Sequence, residues 1–479
     1  MTIPRVEQAP SIEDYLDGTP RPDEAAITRF YQREPGDGTP ISQPTEAYLS
    51  YDTHNLYIVF VAHDDPAKVR ATRAKRENFG NDDFVGLVLD TYGDGRRSYI
   101  FLANPFGVQQ DGVSTEGEHE DDYSYDTLWQ SEGRLTSSGY VVWIAIPFKS
   151  LRFANQPEQR WGIALVRCIR RNNETSFWPY LTRRIASMGQ QLAAATGVAD
   201  VSPGRNILLI PYAAGAGVRF LDVPRPAYET DTEARAGVDG KMVIKDAFTL
   251  DATFNPDFSQ VESDEPQVTI NQRFEVFFPE KRPFFIENAS YFATPIQLFF
   301  SRRIADPQVG GRFTGKKGGW AVGALAMDDR APGRRVDTAD PAYGDRAGIG
   351  MLRVQREFPR QSNLGLLATT WDFGGNSSRV FSMDGRYKMT DTWVLSGQAA
   401  ASSWQPAGGS TTSAPAFLLN LDRTGRSWGA FLSYEDIGKD FRVPLGYVPR
   451  TDYREVVPFF RYTFYPENSP LVSFRPEIS

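Results

Sequence analysis

The residues most concentrated for chemistry lie in one stretch, NPDFSQVESDEPQVTINQRFEVFFPEKRPFFIENASYF, which begins at Asn255 and joins a Phe-rich load to an acidic run and an EKR cluster. Neither helical nor strand periodicity accounts for it. One chemistry it offers is ion pairing: Glu280, Lys281, Arg282 and Glu287 form a charge network while Phe277, Phe278, Phe284 and Phe285 pack on a wall, an arrangement that fixes register more than it adds net stability. The competing reading is a connector whose Phe residues staple two domains. Elsewhere the acidic pieces Asn81 to Asp83, Asp90 to Asp94 and Glu118 to Asp122 offer oxygen ligands to Ca²⁺, but none has EF-hand spacing. Solvated loop charge is the plainer account of them. His54, His63 and His119 are the only histidines and are too scattered to suggest a zinc site or a triad. Cys168 is the only cysteine, which excludes an intramolecular disulfide and a Cys-rich metal site. No GxSxG, HExxH or P-loop pattern supplies another chemistry.

The elements that must position these groups are strands. A chain of 479 residues exceeds one core, and 13% aromatic residues with 41 Gly and 33 Pro favour β structure with many turns. The formal charge of -8, without a Lys/Arg block or an aromatic-basic stripe, makes nucleic acid an unlikely class of partner. The first thirty residues contain no signal-peptide run, and no 18-residue apolar stretch suits a membrane helix. That leaves a soluble protein, a chain lacking its leader, or a β-barrel whose strands never read as hydrophobic overall.

Up to about residue 200 the chain repeats short apolar runs broken by polar turns: LYIVFVA from Leu56, FVGLVLD from Phe84, SYIFLA from Ser98, YVVWIAIP from Tyr140 and WGIALVRCI from Trp161. Several are nearly continuously apolar, as strands buried between two layers should be, so a two-sheet sandwich is predicted. PFKSLRF from Pro147 is predicted to form a turn of helix after its strand. The ordered series TEAYLSYDTHNLYIVFVAHD, NDDFVGLVLDTYGDGRRSYIFLANPFGVQQDG, DTLWQSEGRLTSSGYVVWIAIPFKSLRF and QRWGIALVRCIRRNNETSFWP resembles the family 9 carbohydrate-binding module-like (DOMON-like) domain of bacterial envelope proteins, over roughly residues 10 to 198.

That resemblance implies a jelly-roll-like sandwich and a glycan as partner. In such domains sugar rings stack on aromatic faces and their hydroxyls take directional partners. The corresponding platform here would be Trp129, Trp178, Tyr123 and Tyr125, in or beside polar segments, with Arg97, Asn104 and Asp111 as polar partners. Packing and strand-end capping explain the same residues structurally, and Trp143 and Trp161 are assigned to the core. Related modules accompany glycoside hydrolases, which need an acid and a second carboxylate about 5 to 10 Å apart. Glu262, Asp264 and Glu287 are carboxylates available for that role, although no segment resembles a catalytic domain.

From about Gly311 the pattern becomes strict two-residue alternation. Phe381, Met383, Gly385 and Tyr387 share one face and Val380, Ser382, Asp384 and Arg386 the other; after the turn MTDT, Trp393, Leu395, Gly397 and Ala399 oppose Val394, Ser396, Gln398 and Ala400. Hairpins of about ten residues per arm, with Trp320, Trp371, Trp393, Trp404, Trp428 and Tyr434 near strand ends, suit a sheet that crosses a bilayer apolar side out. Inward serines such as Ser382 and Ser396 are then expected to accept charge. NPDFSQVESDEP, FEVFFPEKRPFFIENASYF, LFFSRRIADP, GRFTGKKGGWAVGALA and YEDIGKDFRVPLGYVPRTDY resemble the uncharacterised barrel family that commonly follows this sandwich in bacteria, over about residues 205 to 479. Its relatives continue further, so the barrel is expected to be incomplete in this chain.

The expectation is therefore an all-β protein: residues 1–200 a sandwich, 201–300 a connector and plug-like segment with the first strands, and 301–479 part of an outer-membrane-type β-barrel. The resemblance implies the cell outer membrane, membrane lipid and glycan as partners, Ca²⁺ as the one conceivable cofactor, and glycan binding as the function. The alternatives are O-glycosyl hydrolysis in carbohydrate catabolism, and a structural or export barrel whose sandwich no longer binds sugar.

Overall fold

A computed structural model describes the chain except for residues 17–20, 78–79, 117–120, 124, 154–155, 186, 203–206, 223–226, 245–246, 257–273, 279 and 467–472. Glu262, Asp264 and His119 thus lie outside the described residues.

The first twelve strands are β1 (Ala25–Ile27), β2 (Tyr31–Glu34), β3 (Thr45–Tyr51), β4 (Asn55–His63), β5 (Phe84–Asp90), β6 (Arg97–Ala103), β7 (Gln109–Thr115), β8 (Gln130–Thr136), β9 (Gly139–Pro147), β10 (Trp161–Ile169), β11 (Glu174–Trp178) and β12 (Ala193–Ala195). They make two antiparallel sheets, one ordered β1-β3-β4-β9-β8 and the other β2-β11-β10-β5-β6-β7, with β12 against β10. The near-continuous apolar runs are the central strands: β4, β5, β9 and β10 bury side chains on both faces, one against the opposite sheet and one under flanking segments. Leu49, Phe60, Leu87, Phe101, Val142 and Leu165 fill the space between the layers. Trp161 lies fully within this core, and Trp143 is half-buried on the outer side, where its indole N–H donates to the Pro10 carbonyl. Phe148–Ser150 forms the turn of helix expected after β9.

Thirteen further strands form a single antiparallel meander in strict sequence order: β13 (Ile207–Asp222), β14 (Ala227–Ile244), β15 (Phe248–Phe254), β16 (Val309–Lys317), β17 (Trp320–Asp329), β18 (Ala347–Phe358), β19 (Ser362–Phe373), β20 (Asn376–Lys388), β21 (Trp393–Gln405), β22 (Thr412–Arg423), β23 (Trp428–Ile437), β24 (Tyr453–Tyr462) and β25 (Glu477–Ile478). The sheet is not closed among the described residues. Its regular pattern begins at Ile207, three strands earlier than the alternation at Gly311, because the sequence of β13 (ILLIPYAAGAGVRFLD) puts apolar residues on both faces and hides the period. Adjacent strands register as hairpins, and Gly318 and Gly319, at φ +58° and +75°, supply the two left-handed residues that a two-residue turn between β16 and β17 requires.

The alternation has the predicted polarity. On β20 Phe381, Met383 and Tyr387 are 56%, 48% and 60% exposed, whereas Ser382 is 0% exposed and Val380 and Asp384 are buried. Leu352, Leu366, Phe417, Leu419, Leu432 and Val456 extend the exposed apolar row across β18 to β24. The inner face is covered by the connector. Phe285, Phe292, Ile296, Leu298 and Ile304 form one core with Leu325, Met327, Ile349, Met351, Leu367, Val380, Ala400, Ala416 and Ile437, so some twenty residues touch seven successive strands and the sheet curls around them. Trp371 and Trp404, both near strand ends, stack on the inner side, 5.9 Å apart, with Arg442 over Trp404, because both lie directly opposite the buried Ser378 in register. Trp320, Trp393 and Trp428 do face outward, near the short turns.

Candidate functional site at the junction of sandwich and sheet

The two units meet through the short hairpin turns of the sheet. The sequence DTYGDGRR folds into a tight turn after β5, in which the Asp90 carboxylate accepts from the backbone N–H groups of Tyr92, Gly93 and Gly95 at 2.6–3.0 Å. That exposes Asp94, Arg96 and Arg97 toward the sheet. Lys316, at the end of β16, pairs with Asp94 and with Glu357 (2.8 Å). Arg96 donates to the carbonyls of Phe358 and Ser362, the latter at 2.8 Å. The turn between β18 and β19 places Arg360 and Gln361 at φ +57° and +56°, an uncommon conformation for residues other than Gly, and aims the Gln361 amide at the Gly95 carbonyl (2.6 Å) and Ser187 Oγ (2.9 Å). Arg386 adds an ion pair to Glu116 at 2.6 Å. Most of these groups are largely withdrawn from water, where charge-assisted bonds are stronger than on an open surface. Between them runs a cleft of ≈ 870 Å³ lined by Tyr92, Arg96, Gln156, Lys317 and Glu357, within the size range of ligand sites.

The plug adjoins this junction. Arg282 is held by Glu280 (2.6 and 2.8 Å) and by the carbonyls of Ser301 and Ile304 (2.8 and 2.6 Å), and its guanidinium lies 4.3 Å from the centre of the Phe285 ring. Burial pushes the Glu280 carboxyl up, but Arg282 and Ser301 outweigh it and hold it below the usual carboxylate range. Glu287 forms a separate group: it pairs with Lys241 of β14 and with Arg152 of the sandwich at 3.5 Å. Burial raises it, and these cations with Arg312 bring it below the ordinary range. The four charges singled out in the sequence thus fall into two groups, Glu280 with Arg282 and Glu287 with Lys241, and the backbone N–H of Lys281 donates to Glu280 at 3.0 Å. Phe284 and Phe285 pack edge to face, while Phe277 is exposed and stacks on Phe300 beside Tyr447.

The nominated sugar platform is dispersed. Trp129 is 6% exposed and its ring sits edge-on to Phe101 in the sandwich core, so it has no face to offer a sugar. Its place in the polar segment DTLWQ concealed this, because a side chain one residue from a strand can reach back under the sheet. Asn104 is buried and caps its own loop, accepting from Phe106 and Val108 and donating to Asp82. Asp111 is buried against Arg76 and the Thr127 amide. Trp178 ends β11, three strands from β6, and is half-buried. Tyr123 is 38% exposed beside Gly112. Only Arg97 and Tyr125 come together, both against Tyr99, at the junction itself. Lys316, Gln361 and Glu357 were not foreseen; their pairing joins segments more than two hundred residues apart, and no local pattern encodes it. Among the described residues no group of three or more His, Cys, Asp or Glu side chains is arranged to hold a metal ion. Asp90 is engaged by backbone amides and Asp94 by Lys316.

Residues 203–316 match the family described as "Domain of unknown function (DUF5916)". No curated protein matches the chain. Among solved structures, a carbohydrate-binding module of family 9 from Caldicellulosiruptor kristjanssonii, in complex with cellotriose, is 12% identical over 42% of this chain and 96% of its own, with a TM-score of 0.26. A loop-deletion mutant of the outer-membrane protein OmpT of Vibrio cholerae is 9% identical over 74% of this chain and 92% of its own (TM-score 0.27). OccAB2 of Acinetobacter baumannii is 12% identical over 82% and 78% (TM-score 0.26).

Proposed function

We propose that this is an outer-membrane protein of the cell envelope whose N-terminal sandwich binds carbohydrate while docked on the turn side of a membrane-spanning sheet. The observation that carries the membrane part is the exposed apolar row from Leu352 to Val456, set opposite an inner face of Ser382, Asp384, Arg353 and Gln398. A water-soluble protein rarely exposes so broad an apolar surface. The row is bounded on one side by Trp320, Tyr387, Trp393 and Trp428, and on the other by the ion pairs Asp328–Arg346, Asp372–Arg379 and Asp436–Arg454. On β20 the limits, Tyr387 and Arg379, are eight residues apart, which is about 27 Å along a strand and roughly 20 Å of height at a barrel tilt near 40°, comparable with the apolar band of such barrels.

The sandwich contacts the short turns, whereas at the other end two of the connections, 330–346 and 438–452, run to fifteen or more residues, beside short ones at 374–375 and 406–411. Barrels of this type carry short turns on the periplasmic side, so the proposal sets the sandwich in the periplasm and its sugar ligand with it. Candidate contacts are the exposed Tyr123 and the partly exposed Trp178 and Tyr92, with the polar rim of the junction cleft.

The test is glycan binding by the whole protein in detergent, using cello- and xylo-oligosaccharides on an array. Loss of binding in Tyr92→Ala or Trp178→Ala, with the unfolding midpoint unchanged, supports the reading. Trp129→Ala is unsuitable, since its loss would report a broken core. No binding to any glycan by folded protein would leave a structural or export barrel. Release of reducing sugar would instead point to hydrolysis, a role that Glu287, ion-paired and held ionised, is poorly set to fill as general acid.

A further inference from the structure

The junction contains a second, narrow cavity of ≈ 20 Å³, partly open to solvent and lined by Tyr92, Arg97, Arg152, Asn288, Tyr291 and Thr314. Three of its lining atoms, Arg97 Nε, Arg152 Nη1 and Thr314 Oγ1, are buried and have no hydrogen-bond partner. Buried polar groups are almost always satisfied, so three orphans around one void indicate a missing acceptor. Charge points the same way. Arg97 pairs with no carboxylate among the described residues and only lies over the Tyr99 ring, 5.7 Å from its centre. Arg152 and Lys241 share the single carboxylate of Glu287. The neighbouring cations are already matched, Arg312 by Asp251 and Lys316 by Asp94 and Glu357. The tyrosines around Arg97, namely Tyr92, Tyr125 and Tyr291, have hydroxyls pushed up by burial and stay neutral. With Glu357 also paired to Arg96, the three cations Arg97, Arg152 and Lys241 face the one carboxylate of Glu287, so the cluster carries two positive charges in excess in a largely buried place, where an unmatched charge is costly.

We propose that this cavity binds a halide-sized anion, chloride under ordinary conditions, between Arg97 and Arg152. The free volume holds one water-sized particle, which favours a monatomic anion over a sulfate, a phosphate or a sugar carboxylate. Arg97 comes from the sandwich, Thr314 from the sheet, and Asn288 and Tyr291 from the plug, so the ion would join all three. The site does not rest on the sugar reading and survives its failure, although Tyr92 lines both the cleft and this cavity.

The test uses the full chain in detergent at constant ionic strength, with chloride replaced by gluconate. The unfolding midpoint is expected to be higher in chloride by roughly 2–4 °C. That difference should vanish in Arg97→Gln and persist in Lys317→Gln, which removes a nearby charge outside the cavity. Crystals grown in bromide should show an anomalous peak between the two guanidinium groups. A chloride effect of equal size in Arg97→Gln, or a cavity holding water without anomalous signal, overturns the proposal. If Arg97→Gln fails to fold, the bromide experiment on the unaltered protein decides alone.

Discussion

The sandwich and the meander are built from the same antiparallel pairing, yet they are turned inside out with respect to each other. In the sandwich Phe60, Leu87 and Val142 point inward and polar residues such as Glu132 and Arg134 outward. In the meander Phe381 and Leu419 point outward and Ser382 and Arg353 inward. Strand pairing is indifferent to the surroundings; the side-chain period decides which face each solvent receives. The plug covers much of the polar inward face of the meander and satisfies some of its polar groups, as when Gln398 accepts from the Ile296 amide and donates to Ser382 Oγ at 2.8 Å.

This contrast can be broken most severely at the plug. Arg282→Ala removes one partner of a buried pair and leaves Glu280 uncompensated, so a loss of about 3–5 kcal/mol is expected in thermal unfolding in detergent. A loss below about 1 kcal/mol, the scale of an exposed pair, would reduce the segment to a tether. Next comes the outer face: Phe381→Arg should lose about 2–4 kcal/mol near the bilayer midplane. Ser396→Glu, inward and opposite Arg386, should stay within about 1 kcal/mol. Equal losses from both, read by heat-modifiable gel mobility, would mean that both faces are buried by protein. Ser382 no longer serves as the mild inward control, since it is fully enclosed beneath the plug.

A smaller effect is expected at the junction. Gln361→Ala leaves the Gly95 carbonyl and Ser187 without their donor, at about 1–3 kcal/mol. It should show as a separate, earlier unfolding transition for the sandwich, and calorimetry with one unchanged transition would contradict it. The mildest probe is pH. Glu280 and Glu287 have folded values below their unfolded ones, so their contribution is fully present above the unfolded carboxylate value, about 4.3, and is lost as pH falls through the folded value. Protease cleavage within Glu280 to Glu287 should therefore rise only below about pH 4. Cleavage that rises toward alkaline pH would reverse the assigned sign.

Where the comparison was readable in advance, the reason is periodicity. A step of two residues tells which side chains of β20 and β21 share a face, and Phe381 with Ser382 is enough to state the polarity. It does not tell what covers a face, so the enclosure of Ser382 beneath the plug had no local signal, whereas the inward side of Trp404 follows from continuing the set Val394, Ser396, Gln398 and Ala400. The nearest-neighbour pair Glu280–Arg282 was legible because both members sit in one turn. Lys241, the partner of Glu287, lies forty-six residues away on another strand and was not. The burial of two platform residues was hidden for a related reason: polar neighbours of Trp129 and Asn104 indicate a loop in sequence, but Trp129 turns into the core and Asn104 is buried capping its own loop.

Glu287 gives the molecule a mechanical property. A single carboxylate is gripped by Lys241 of the wall and Arg152 of the sandwich, while the backbone carbonyl of the same residue is gripped by Arg312. A pull on the sandwich, such as a tethered polymer would exert, is then shared at one point between the plug and two strands of the wall. The junction should yield as a unit under force, with the plug loosening only when the sandwich does, and a single rupture event would be its signature in a pulling experiment.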